Sequence, residues 1–460
     1  MLRLVAFSLA LAALPIACGG EPAVASDWTT YGFDAAHTNF NPRAGSLDPA
    51  HVRRLRLGWS TPLGGVIDTQ PAYASRVAVG RRRRMNLVFA ATEHAAVFAI
   101  DARSGRVLWR RQLRQRRSLC WMNTPDSRFG ISATPIVDRR HNRLYVVPAD
   151  NSVHALSLST GHEARGWPVP LGFTPATHHI WGSSTLVGDD LYVPVASYCD
   201  VGRYRGGIAL VSVRRRRVIR RWYVVGPTLA GGGVWGWGGV PIDLADRNVY
   251  VATSNANGPT EDAGYAEHVV RLTRDLRVLD ADDPDVGIRA DADFASAPLL
   301  FRPTGCAPLL AAIHKNGILF VYRRHALHQG PIQRIDGLGP TGTFAWSPVR
   351  QTIYVTYVGP GFQGLVGFRV SRCELKAGWR VAVQRSMWVP SPPTVAGDVV
   401  YFGTGQDREI VAAGARTGHV LWRTGAGTIQ GAIVAAPTVI DGHLFAGSWD
   451  QRVYAFSASR

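Results

Sequence analysis

Apolar and polar positions alternate at period two in short runs along this chain, and Gly, Asp and Asn break the runs at close intervals. Leu87-Val88-Phe89-Ala90-Ala91, Val97-Phe98-Ala99-Ile100 and Val107-Leu108-Trp109 follow one another, with Ser104-Gly105 turning the last pair. The same order recurs around Leu144-Tyr145-Val146-Val147, Leu191-Tyr192-Val193, Val249-Tyr250-Val251, Leu309 to Ile313, Ile353-Tyr354-Val355, Val399-Val400-Tyr401-Phe402 and Leu444-Phe445-Ala446. No long stretch has helical periodicity. Copies spaced roughly 45 to 60 residues apart predict four-stranded antiparallel blades arranged in a ring. The expectation is an all-β, eight-bladed β-propeller.

The eighth copy stops after Val453-Tyr454-Ala455-Phe456 and lacks its last strand, while Leu55-Arg56-Leu57-Gly58-Trp59 stands unclaimed before the first copy. Pairing the two closes the ring and protects two open strand edges. Residues 26 to 460 are then one domain, with residues 26 to 50, including Trp28, Tyr31 and Asn39, as a lead-in covering the ring. Residues 1 to 25 read as an export signal: Arg3 precedes an apolar run from Leu4 to Ala17, too short to span a bilayer as a helix. Its end has two readings. Leu14-Pro15-Ile16-Ala17-Cys18 resembles a lipoprotein cleavage site, and Ala23-Val24-Ala25 an ordinary secretory one; the position of Cys18 directly after the run favours the first. The expected location is extracytoplasmic, secreted or lipid-anchored, with membrane contact only through that anchor.

Composition adds to this in three places. A hydrophobic fraction of 46% supports a large core, and 49 glycines suit tight turns. The net charge of +18 comes almost wholly from arginine, since Lys315 and Lys376 are the two lysines. Arg81 to Arg84 and Arg214 to Arg217 fall between strands, where hairpin turns meet solvent, and no nucleic-acid-binding module accompanies them, so no nucleic-acid partner is expected. Beyond Cys18, four cysteines in an exported chain permit disulfides, three pairings being open. Cys306 and Cys373 fall in neighbouring copies at similar loops and are expected to pair, which leaves Cys120 with Cys199. No Cys-x-x-Cys-His haem site or Cys-x-x-Cys zinc pair occurs. His178-His179, Gly337 to Gly342 and Trp449-Asp450 are set aside as adjacent strand residues, a glycine turn without a following helix, and a lone dipeptide.

Asp27-Trp28-Thr29-Thr30-Tyr31-Gly32 and the string Ala99-Ile100-Asp101-Ala102 to Val107-Leu108-Trp109 resemble the opening and the repeat of the pyrroloquinoline quinone (PQQ) alcohol dehydrogenases. The resemblance implies a propeller of the quinoprotein dehydrogenase type and directs attention to five positions. Trp237 in Gly231-Gly232-Gly233-Val234-Trp235-Gly236-Trp237 is similar to the indole beneath the quinone, with Trp235 as the alternative. Asn255 matches a calcium ligand of the family, Asp200 lies where the family places a calcium-binding Glu and could substitute for it, and Asp293 matches the catalytic aspartate, which also binds calcium. Lys315, in His314-Lys315-Asn316-Gly317, matches the cation at the quinone carbonyls. Such a site implies PQQ and calcium, an alcohol or sugar substrate, and an external electron acceptor. Departures from the family are the lack of an adjacent cysteine pair at Cys120 and the presence of Ala292 where tryptophan is usual. A similar repeat also builds the lipoprotein of the outer-membrane barrel-assembly machinery, so the alternative is a non-catalytic scaffold holding an envelope protein or polymer.

Overall fold

The computed structural model describes residues 27–458 apart from residues 44, 46, 82, 121–126, 258–263, 287–290, 292, 340, 360 and 386–390. The leader with Cys18 and both cleavage sites, and Ala292, lie outside the described residues. Among the described residues eight antiparallel blade sheets succeed one another, seven of them with four strands of their own, and two two-stranded ribbons, Arg116–Arg117 with Arg128–Phe129 and Ala230–Gly231 with Ala256–Asn257, lie outside them. Blade 1 runs Ala72–Val79, Arg83–Ala91, Ala96–Asp101 and Val107–Gln112 in simple meander order. Blade 4 departs from the four-strand expectation: its innermost strand shrinks to a bridge between Ile242 and Val249 beside three full strands. The glycine-rich segment 231–239 precedes that bridge and gives the chain little to pair.

The second and third strands of each blade are apolar on both faces because each blade is sandwiched between two others. Ala96–Asp101, Gly207–Ser212 and Leu309–His314 are buried almost throughout, while outer strands such as Val107–Gln112 alternate with solvent. Neighbouring blades are latched by a recurring pair. Outer-strand Trp109 of blade 1 lies on Gly161 of blade 2 and donates its indole N–H to Leu158 O at 2.9 Å. Trp59 meets Gly105 and Ala102 O in the same way, at 3.0 Å. This explains the Gly and Trp spacing of the repeat.

The ring closes as expected. Leu55–Pro62 is the outer strand of blade 8, antiparallel to Arg452–Ala458, with Leu57 opposite Phe456 and Trp59 opposite Ala455. The lead-in does more than cover the ring. Residues 28 to 41 run around the inside of the propeller, bonding to the innermost strands of blade after blade. Trp28 bridges Tyr73, Thr29 O accepts from Val137 N at 2.7 Å, and Ala35 O accepts from Ile242 N at 2.7 Å. Thr38 O then accepts from Trp346 N at 2.9 Å, Phe40–Asn41 adds a parallel strand to Thr394–Ala396, and Asn41 Nδ2 donates to Val439 O at 2.8 Å. Both cysteine pairs form, with Cα–Cα separations of 5.7 Å for Cys306–Cys373 and 5.4 Å for Cys120–Cys199.

Candidate functional site

A four-stranded meander puts its first and third hairpins at one end and its second hairpin at the other, and the crossing to the next blade leaves from that second end. Asp200, Asn255 and Lys315 sit in the second hairpins of blades 3, 4 and 5, and Trp237 and Asp293 in the crossings from blade 3 to 4 and from 4 to 5. Topology therefore gathers all five on one face of the ring.

Two of the five touch. Lys315 Nζ lies 2.9 Å from Asp293 Oδ1 and 2.5 Å from Asp291 Oδ1. The local backbone enforces this: Lys315 N donates to Asp293 O at 2.8 Å, and Phe294 bridges His314. The indole that joins them is Trp235. Its Nε1–H donates to Asp293 Oδ2 at 3.2 Å, and the Lys315 ammonium sits 5.1 Å from its ring centre. Trp237 is buried apart from them, packed with Tyr31, Val434 and Ala436. Trp181 lies between the two indoles, 5.3 Å from Trp235 and 4.8 Å from Trp237. Gly236, at φ 88°, turns the chain between the two rings.

Asp293 is 3% exposed. Burial pushes its carboxyl up to about 7; the Lys315 charge pulls the other way, and Asp291 and Asp200 add to the rise. Asp200 Oδ1 accepts the Tyr204 hydroxyl at 2.5 Å. Tyr204 is held protonated, first by burial and then by Asp200, with Asp293 contributing, so this phenol connects the two carboxylates electrostatically. Asn255 is anchored through its backbone, its carbonyl accepting from Gly232 N at 2.8 Å, and its Oδ1 is buried without a hydrogen-bond partner. An orphaned buried amide oxygen is a hard donor of the kind that calcium or a similar cation takes, as are the carboxylates of Asp200 and Asp293. A flat indole with an ammonium over it fits a planar, electron-poor quinone.

The same face of the ring holds a second cluster, which sequence reasoning missed. Glu93, 1% exposed, accepts Gly130 N on Oε2 at 2.9 Å and the Ser132 hydroxyl on Oε1 at 2.6 Å. Burial first and Asp68 second push its carboxyl up, and Asp68 Oδ1 accepts the Trp449 indole N–H at 2.6 Å. His179 Nε2 stands 3.0 Å from Ser132 Oγ, and Phe129 stacks on the imidazole at 4.2 Å. Burial lowers His179 to about 3, so it is neutral. The signal was positional: Glu93 and Trp449 occupy in blades 1 and 8 the second hairpin that carries Lys315 in blade 5. A cavity of about 100 Å³ lined by Cys120, Phe129, His178, His179, Ser197 and Tyr198 adjoins this cluster at Phe129 and His179.

Residues 28–169 match a family model described as the glucose/ethanol/alcohol dehydrogenase β-propeller domain, and residues 370–460 match one described as outer membrane protein assembly factor BamB. No curated protein matches the chain. Among solved structures, quinohemoprotein alcohol dehydrogenase from Comamonas testosteroni is similar at a TM-score of 0.71 and 18% identity, over 95% of this chain and 81% of that one. A europium-containing methanol dehydrogenase is similar at 0.70 and 15% identity, over 94% and 98% of the two chains. BamB from Moraxella catarrhalis follows at 0.57 and 15%, over 88% and 99%. The chain is a β-propeller of the PQQ-repeat type, with the fold of the quinoprotein dehydrogenase propellers.

Proposed function

We propose that this protein is an exported quinoprotein dehydrogenase that oxidises an alcohol or sugar, using PQQ and calcium and passing electrons to a separate acceptor. The observation that carries this reading is the convergence of Asp293, Lys315 and Trp235, from two crossings and a hairpin, on one buried spot. When bound, the quinone supplies a two-electron acceptor for the substrate's hydride. Asp293 accepts the substrate hydroxyl proton, and a carboxylate near neutrality is suited to that work. Lys315 holds Asp293 in place and presents positive charge where an oxyanion would develop. Trp235 fixes a ring plane, and Trp181, itself packed on Trp237, holds it in position. Asn255 Oδ1, Asp293 and Asp200 would hold calcium, and Tyr204 keeps Asp200 oriented.

The test is uptake followed by turnover. Chain incubated with PQQ and calcium should acquire quinone absorbance and reduce an artificial dye with alcohols or aldoses. Asp293→Asn should retain the quinone and lose about 10² to 10⁴ in rate, the usual cost of removing a positioned base. Trp235→Ala should lose the quinone. The match of residues 370–460 to the BamB model supports a second reading, a scaffold for an envelope protein or polymer. Absence of quinone uptake by the wild-type chain would overturn the enzyme and leave the scaffold.

A further inference from the structure

The face opposite the candidate site carries the first and third hairpins of every blade, and in blades 1 to 3 these hairpins are arginine-rich. Arg83 and Arg84 leave the first hairpin of blade 1, Arg139 and Arg140 form that of blade 2, and Arg214 to Arg217 form the third of blade 3. All of these are exposed. The hairpins adjoin: Ser159 Oγ donates to Ala78 O at 2.6 Å, joining blades 1 and 2, and Arg216 Nη1 donates to Arg165 O at 3.2 Å, joining blades 2 and 3. Local acids neutralise only part of the patch. Asp189 pairs with Arg140 and Arg214, whereas among the described residues Arg83, Arg84, Arg215, Arg216 and Arg217 have no acid partner.

An independent observation concerns where the chain enters the fold. Asp27 accepts from Ser75 N at 2.7 Å and pairs with Arg139 Nε at 3.2 Å, so the first described residue of the chain is tied to this same patch. Cys18 precedes Asp27 by nine residues. Fully extended, that linker reaches about 30 Å. The buried carboxylates Asp68, Glu93 and Asp293 gather at the other end of the ring.

We infer that the arginine face of blades 1 to 3 docks on an anionic lipid bilayer, with the chain's entry at Asp27 on the membrane side and the candidate site turned outward. Coulomb attraction to an anionic surface acts on each basic residue that comes within a Debye length, and it needs no shaped pocket. The arrangement concentrates guanidinium groups without acid partners on the face where the chain from Cys18 enters the fold, so an acyl anchor at Cys18 and the charges act on one face. This inference stands whether or not the other face binds a quinone.

Vesicle flotation of the processed chain, beginning at residue 18 and carrying Cys18→Ser, tests it, since neither an acyl group nor the apolar run of residues 4 to 17 is then present. Binding should favour phosphatidylglycerol–phosphatidylcholine vesicles over pure phosphatidylcholine and should fall away in high salt. Adding Arg215→Ser and Arg217→Ser should weaken it about 25-fold, at about 5-fold for each arginine. Arg116→Ser with Arg117→Ser, on the crossing from blade 1 to 2 at the opposite face, should leave it within twofold. Equal binding to both vesicle types, an equal loss in the Arg116/Arg117 pair, or displacement from vesicles by duplex DNA at matched salt would each overturn the inference.

Discussion

Replacing Gly161 by alanine tests the latch that joins consecutive blades. Gly161 has φ 69°, a left-handed conformation that costs alanine about 1 kcal/mol more than glycine. A Cβ there would also stand 2.6 Å from Trp109 Cε3 and 2.8 Å from Cδ2. The indole cannot retreat freely, since it donates to Leu158 O at 2.9 Å and packs 6.0 Å from the Phe89 ring. Overpacking of this kind costs about 1 to 3 kcal/mol, so the expected total is about 3 kcal/mol. Gly188 is the control: its φ is 63°, with nothing within 4 Å of its would-be Cβ. Gly188→Ala should therefore lose only about 1 kcal/mol. Urea unfolding followed by tryptophan fluorescence gives both values from the midpoints, provided the slopes agree. Repeating Gly161→Ala in a Trp109→Leu background should reduce its cost to that of Gly188→Ala. Equal losses at Gly161 and Gly188 in the wild-type background would refute the latch.

Three further outcomes follow from the same geometry. Burial opposes a charge on His154, but Asp150 at 3.3 Å and Glu163 at 2.7 Å outweigh it and push the imidazole up to about 9. A folded value above the unfolded 6.5 stabilises fully below about pH 6.5 and is lost as pH rises through about 9; His154→Gln should remove about 3 kcal/mol of that pH dependence, measured as unfolding free energy at pH 6 and pH 10. Cys306→Ser with Cys373→Ser opens a loop of 67 residues and should cost about 4 kcal/mol by denaturant melting, whereas an unchanged midpoint would refute the chain-entropy estimate. A chain beginning after Trp59 exposes the edge of Arg452–Ala458 and unplugs the channel. It should aggregate on size-exclusion chromatography, and a soluble monomer of equal stability would contradict the closure.

The repeat, the blade count, the missing eighth strand and its replacement by residues 55 to 59 were all legible along the chain. Each rests on period-two alternation or on a glycine at a fixed distance from a tryptophan, and those constraints are local. The motif around Lys315 and the order of Asp200, Asn255, Asp293 and Lys315 were legible for the same reason, as loops of consecutive blades. Which indole meets Asp293 was not. Trp235 and Trp237 are two residues apart, and the choice depends on the turn at Gly236 and on Tyr31 and Val434 taking up Trp237. Nor did local pattern connect Glu93 with Asp68, Ser132, His179 and Trp449, because these come from blades 1, 2, 3 and 8 and meet only once the ring has closed. The lead-in was readable as a cover, but its circuit of the channel depends on backbone groups that inner strands offer inward, without a side-chain signature. The arginine runs were visible as charge alone. Their collection on one face, beside the chain's entry at Asp27 and away from the carboxylates, follows from the alternation of hairpin ends in an antiparallel blade, repeated in one sense around the ring.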